Sequence, residues 1–174
     1  AINAAEDFNS KDINTLFTRL GENISNLEEA KRVRDHYAKV LDEINAKKLK
    51  SEISVKLTQL GLDFSSEQTL KNISAIVEHA ALLNNFVWID MEQSGYVDRT
   101  IELYEKLKSK FDNVGICLQS YLFRTMSDVE RLINISPAIR LVKGAYLESP
   151  NIAFKKKADV DENYFELVKH MLSS

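Results

Sequence analysis

Five short apolar runs, each followed by an amphipathic helical pattern, constrain this chain more than any other feature. They occupy residues 13–18, 53–57, 86–90, 114–118 and 139–142 and are rich in β-branched or aromatic residues. Runs of that length and composition read as buried parallel strands. Between them the apolar residues step by three or four. Leu27, Ala30, Val33, Tyr37, Val40, Leu41 and Ile44 form one stripe, with Ser25 and Glu28 placed as a capping box. Leu70, Ile73, Ile76, Val77 and Ala80 form a second after Ser65 and Gln68, and Val97, Ile101, Tyr104, Leu107 and Phe111 a third. A short fourth helix carries Val129, Leu132 and Ile133 after Ser127 and Glu130, and a fifth runs from about Val160 to Met171 with Asp159 and Glu162 as its capping pair. Five repeats of strand then helix are the signature of βα units, hence of an α/β fold with a parallel sheet.

Two architectures share that rhythm, a doubly wound sheet and a (β/α)8 barrel. The dinucleotide-binding version of the first needs a turn with three glycines after its first strand, yet Thr18-Arg19-Leu20-Gly21-Glu22 offers one. A barrel of about 250 residues is then the better match, and 174 residues supply about five of its eight units. The chain lacks an initiator Met, and its end follows a helical pattern without a clear stop, so it is expected to be an excised piece of a longer protein.

Composition removes several classes of function. Lys+Arg 23 against Asp+Glu 26, with the signs interspersed, leaves no basic stripe for nucleic acid. No window approaches the roughly 18 apolar residues of a membrane span, and the first residues lack the regions of a signal peptide, which points to a cytoplasmic or peripheral protein. A single cysteine, Cys117, excludes an internal disulfide and fits a reducing compartment; inside an apolar strand it reads as an inert core thiol.

In α/β folds of both kinds the chemistry sits where strands end. Lys56, Asp90 and Arg140 lie inside apolar runs, where an unpaired charge is costly. They should face one another, a ligand or water, and with Gln119 they are expected to converge on one cleft. A buried ion cluster without function is the bland alternative. Gly144 follows the fifth run, either as a plain turn or as a place where backbone approaches a ligand. His36, His79 and His170 fall on helices away from strand ends and receive no role, and Lys155-Lys156-Lys157 reads as a solvated run.

At these strand ends the sequence resembles the proline dehydrogenase family. The segments are Thr18-Arg-Leu-Gly-Glu-Asn-Ile24, Ile53-Ser-Val-Lys-Leu-Thr-Gln-Leu-Gly-Leu62, Ile89-Asp-Met-Glu92, Leu118-Gln-Ser-Tyr-Leu-Phe-Arg-Thr125, Ile139-Arg-Leu-Val-Lys-Gly-Ala-Tyr146 and Lys157-Ala-Asp-Val-Asp-Glu-Asn-Tyr164. The resemblance implies a partial proline dehydrogenase barrel over residues 1–174, of the (β/α)8 TIM type. It also implies FAD as cofactor, oxidation of L-proline to 1-pyrroline-5-carboxylate and a quinone as electron acceptor, in a protein that is cytoplasmic or peripheral to the inner membrane. By position, Asp90 and Arg140 match the family's catalytic acid and flavin-side arginine, and Lys56 its substrate-carboxylate lysine. Met91, Gln119, Arg140, Val142, Lys143, Gly144 and Ala145 match cofactor contacts. The family's late helix with its arginine pair lies beyond this sequence, so the isolated chain is expected to bind FAD weakly, to lack activity and to self-associate. Two rival readings are a Schiff-base lyase or aldolase using Lys56, and a non-catalytic interaction fragment.

Overall fold

A computed structural model describes residues 1–173. Its elements, in chain order, are helix α1 (Ile2–Asn9), strand β1 (Thr15–Thr18), α2 (Leu27–Ala46), β2 (Ser51–Val55), α3 (Ser66–Leu82), β3 (Val87–Ile89), α4 (Val97–Lys108), β4 (Val114–Gln119), α5 (Thr125–Ile133), β5 (Ala138–Val142) and α6 (Lys157–Ser173). Single 3-10 turns, Thr58–Leu60 and Ser94–Tyr96, follow β2 and precede α4. The strands form one parallel sheet in the order β1-β2-β3-β4-β5, each beside its predecessor in sequence. Among the described residues no helix is long and apolar enough to cross a membrane.

The sheet's two faces differ in chemistry because side chains alternate along each strand. Ile53, Val55, Val87, Ile89, Val114, Ile116 and Leu118 point to the helices and are buried with Tyr37, Leu41, Ile44, Ile73, Ile76, Ile101, Tyr104, Val129, Leu132 and Leu167 in one apolar core. The opposite face carries Glu52, Ser54, Trp88 and Arg140 and borders a cavity of about 530 Å³ towards its amino-terminal end. Burial on both faces, expected for all five runs, holds at every position only for β4; β1 alternates and β5 is half-buried throughout. The open face accounts for the exposed Leu16, Thr18 and Glu52 of β1 and β2, whereas β5, at the edge of the sheet, is only half-covered on both faces.

Several boundaries move from the sequence reading. β2 begins earlier, at Ser51, and ends at Val55, because Ser51 and Glu52, polar residues that do not look like strand, find partners. The Ser51 hydroxyl bonds that of Thr15 at 2.5 Å and the Glu52 carboxylate accepts from Trp88 Nε1 at 2.6 Å. Lys56 and Asp90 therefore lie one residue past their strands. The capping box of α2 shifts by one: Asn26 accepts from the Glu29 N–H at 3.0 Å, and the Glu29 carboxylate accepts from the Ser25 N–H at 3.0 Å. Ser65 does cap α3 through the Gln68 N–H at 3.2 Å. Ser127 and Asp159 do not cap, because α5 and α6 start two residues ahead of them, at Thr125 and Lys157. The start of α5 is held instead by Arg124, whose guanidinium grips Asp128 at 2.9 Å and Asp98 at 2.5 Å, joining α4 to α5. Helix α1 has no counterpart in the sequence reading. It is docked by long-range polar contacts, with Lys47 Nζ on the Glu6 carboxylate at 2.6 Å and the Lys50 N–H on Asn9 Oδ1 at 2.7 Å.

Candidate active site

Register brings the charged residues together. In a parallel pair, residues opposite one another point to the same face. Ser54 opposes Trp88, Trp88 opposes Gly115 and Gly115 opposes Ala138, which makes one row across the open face. Two residues on, Arg140 opposes Cys117, and the Asp90 N–H continues the ladder by donating to the Val55 carbonyl at 2.9 Å. Lys56, Asp90, Cys117 and Arg140 thus share the next row towards the carboxyl ends, although Arg140 sits in the middle of its strand.

Asp90 is the hub. Its Oδ2 accepts from Lys56 Nζ at 3.2 Å, and its Oδ1 accepts from Arg140 Nη2 at 2.5 Å and from the Ser54 hydroxyl. Arg140 Nη2 also reaches Ser54 Oγ at 3.1 Å, and its guanidinium lies 6.0 Å from the centre of the Trp88 ring. Lys56 and Asp90 side chains are 17% and 16% exposed and Arg140 33%, so the cluster is partly desolvated yet reachable from the open face. Two cations on one carboxylate leave a net positive charge there, which suits an anionic ligand. Ser54 was not singled out in the sequence; its place two residues before Lys56, on the same face, was the available signal.

Gln119, the last residue of β4, is next in the row above. It is buried, donates to the Met91 carbonyl at 3.1 Å, and its Oε1 has no partner among the described residues; the same is true of Arg140 Nε. Buried polar atoms left in this way ordinarily have a ligand or water to meet. Gln119 stands on the same face as Arg140, one row further along, and its amide bonds Met91 while Lys56, Asp90 and Arg140 bond one another. Cys117 is buried in the Arg140 row, and burial pushes its thiol upward, as an unreactive core cysteine requires.

Residues 142–145 continue from β5. The Val142 and Lys143 carbonyls accept from the Ser120 and Tyr121 N–H groups at 2.8 and 2.9 Å, which fixes this stretch to the end of β4. The Lys143 side chain turns to α6 and pairs with Asp161 at 2.5 Å; with Lys157 on the same carboxylate, Asp161 is held below the usual carboxylate range. Ala145 is exposed. Gly144 has φ +109°, and a Cβ there would stand 2.1 Å from the Tyr121 ring. A close approach does demand glycine, but the group approached is Tyr121 of this chain. Of the histidines, His79 pairs with Asp42 at 2.8 Å, and all three lie on helices as expected.

Two further carboxylates close the upper end of the site. Glu22, in the turn after β1, accepts from the Tyr146 hydroxyl at 2.5 Å, so the first and last strand ends are linked across the sheet. Burial and the Glu22 carboxylate both push the Tyr146 phenol upward. Glu92 is buried against Thr58, and desolvation raises its carboxyl despite the hydrogen bonds it accepts. Among the described residues no group of three or more His, Cys, Asp or Glu side chains is arranged to hold a metal.

Comparison with known proteins gives the family and the fold likeness of this chain. A sequence profile of the family described as Proline dehydrogenase matches residues 1–174. Proline dehydrogenase 2 of Bacillus subtilis (strain 168) is 33% identical over 172 residues, covering 99% of this chain and 57% of that protein. Proline dehydrogenase of Deinococcus radiodurans is 38% identical over 154 residues, covering 86% of this chain and 50% of that protein. The chain therefore spans about half the length of these relatives. In fold it is similar to proline utilization A (PutA) from Bdellovibrio bacteriovorus inactivated by N-propargylglycine, with a TM-score of 0.87 and 22% identity over 99% of this chain and 23% of that one. With its parallel βα order, its row of strand-end charges and a profile match from end to end, the chain belongs to the proline dehydrogenase family.

Proposed function

We propose that the protein carrying this chain oxidises L-proline to 1-pyrroline-5-carboxylate with FAD and passes the electrons to a quinone, and that residues 1–174 are about five βα units of its (β/α)8 barrel. The observation that carries the reading is the Lys56–Asp90–Arg140 cluster on the open sheet face of a proline dehydrogenase family member. FAD, when bound, would accept the hydride. The Lys56 ammonium binds the substrate carboxylate, which orients the ring carbon on the far side of the nitrogen. That carbon loses hydride while the nitrogen lone pair forms the new C=N bond, so the amine must enter neutral, and the iminium so formed gives up its N–H proton to water to leave the imine. Asp90 holds Lys56 and Arg140 at fixed spacing and keeps both cations on one face.

The residues suit the cofactor. Arg140 Nε is a free donor and Gln119 Oε1 a free acceptor, each buried, and the edge of a flavin ring offers acceptors and an N–H to match. Met91 presents its backbone beside Gln119, and Val142, Lys143, Gly144 and Ala145 offer backbone at the end of β5. The Lys143 ammonium, turned to Asp161, contributes its main chain in this reading. A quinone acceptor would fit a cytoplasmic protein that meets the inner membrane peripherally, and this reading includes that location. Neither a Schiff-base lyase nor a non-catalytic module has support from the family assignment.

Purified full-length protein is expected to show the visible bands of oxidised flavin and proline-dependent reduction of a quinone analogue. Lys56→Ala should raise the proline KM by roughly tenfold or more, the loss of one charge-assisted contact. A protein without flavin bands that leaves proline unchanged would refute the reading.

A further inference from the structure

Glu92 is a buried carboxylate that the proposed chemistry does not use. It is 1% exposed and stands two residues beyond Asp90, where the chain leaves β3. Its Oε1 accepts from the Thr58 backbone N–H at 3.1 Å and its Oε2 from the Thr58 hydroxyl at 2.5 Å. The same hydroxyl oxygen accepts from the Asn23 backbone N–H at 3.2 Å. One carboxylate thereby ties the end of β3 to the end of β2 and, through a single hydroxyl, to the turn that follows β1. That turn is also held by Gln59, whose amide donates to the carbonyls of Gly21 and, at 3.3 Å, Leu20.

Packing does not call for a carboxylate at this position, because burying one costs several kcal/mol unless hydrogen bonds offset it. What it supplies is geometry. Thr58 is two residues from Lys56, and only Leu57, locked in the core, lies between them. Fixing the Thr58 N–H and hydroxyl fixes the backbone from which Lys56 reaches Asp90. The Asn23 bond does the same for the turn that carries Glu22.

We infer that Glu92 is a positioning residue: through Thr58 it sets where the Lys56 ammonium and the turn after β1 stand relative to Asp90, and with them the grip on the substrate carboxylate. This role rests on the proline-oxidising reading above. It makes a specific split in the kinetics, since a displaced lysine weakens binding in ground and transition state alike and leaves the turnover of bound substrate intact.

The test uses the full-length protein with Glu92→Gln, Thr58→Val and Thr58→Ser. Glutamine keeps the shape but leaves the Thr58 hydroxyl proton with one acceptor fewer, valine removes the hydroxyl, and serine retains it. Steady-state kinetics, calorimetric titration with a non-oxidisable cyclic carboxylate analogue of proline, and thermal unfolding are measured together. Glu92→Gln and Thr58→Val are expected to raise both the proline KM and the analogue Kd by roughly tenfold, with kcat within about twofold, while Thr58→Ser stays near the unsubstituted values. Unchanged KM and Kd would overturn the inference whatever happens to the melting temperature. So would a fall in kcat with KM unchanged, or loss of folding in both isosteric variants, which would make the carboxylate a structural tie. If the unsubstituted protein itself leaves proline unoxidised, it is the functional reading that falls.

Discussion

At the scale of residues, the site depends on one carboxylate shared by two cations that are not equivalent. Lys56 offers a point charge on a flexible stem, whereas Arg140 uses a single nitrogen to reach Asp90 at 2.5 Å and Ser54 at 3.1 Å and keeps Nε free. Arg140→Lys would conserve charge and could keep these two contacts on one nitrogen, but an ammonium has no second donor like Nε, held on the same plane and aimed elsewhere in the site. In the full-length protein it is expected to lower turnover by roughly 10- to 100-fold, the value of one or two hydrogen bonds to charged groups. The cluster is partly exposed, so the melting temperature should move little. Stopped-flow reduction by proline alongside thermal unfolding checks both, and wild-type turnover would make Arg140 a structural ion-pair member. The residue types at this site were legible in the sequence, since charges inside apolar runs demand partners. Which partner each would find was not, because the Asp90 contact with Arg140 joins residues 50 apart.

The helices that flank the sheet stand on burial of one face each, and α4 shows how a polar group inside that burial responds to pH. Tyr104 projects from α4 into the core and is fully buried; burial pushes its phenol up to about 12 from an ordinary 10. The unfolded chain ionises near the ordinary value while the folded chain resists, so the stabilisation is complete below pH 10 and is lost as pH rises through about 12. At about 1.4 kcal/mol per pKa unit, the loss is roughly 3 kcal/mol. Urea unfolding of wild type and Tyr104→Phe at pH 9 and pH 11 should show wild type losing more stability than the variant across that interval. Equal slopes would mean that the phenol is solvated in the native state. The helix stripes themselves were readable in the sequence because each depends on spacing within about four residues. The caps of α5 and α6 were not, since Arg124, which anchors the start of α5, gains its hold from Asp98 on another helix.

For the whole molecule, the governing feature is a sheet with one face packed by helices and one face open, and with β1 and β5 each paired on a single side among the described residues. Unpaired strand edges present rows of N–H and C=O groups that pair readily with another chain. The 174-residue chain produced by itself is therefore expected to associate with concentration, through edges and through the open face around Trp88 and Phe86. Sedimentation velocity across a hundredfold concentration range checks this, and a concentration-independent monomer would show that the edges are shielded in solution.

The sequence alone was enough for the alternation of the five strands with helices α2 to α6, the parallel α/β class and the residues gathered at strand ends, because all three follow from short-range periodicity and composition. Tertiary structure decided the rest. It set the register that lifts Arg140, from the middle of its strand, into the row of Lys56 and Asp90, and the row that makes Ser54 their companion. It also turned Lys143 towards Asp161, set the Tyr121 ring against Gly144 and docked α1 on Lys47 and Lys50. Each of these joins segments at least 18 residues apart, and such pairings are chosen by which strands lie side by side, a competition among long-range contacts that no local window of residues contains.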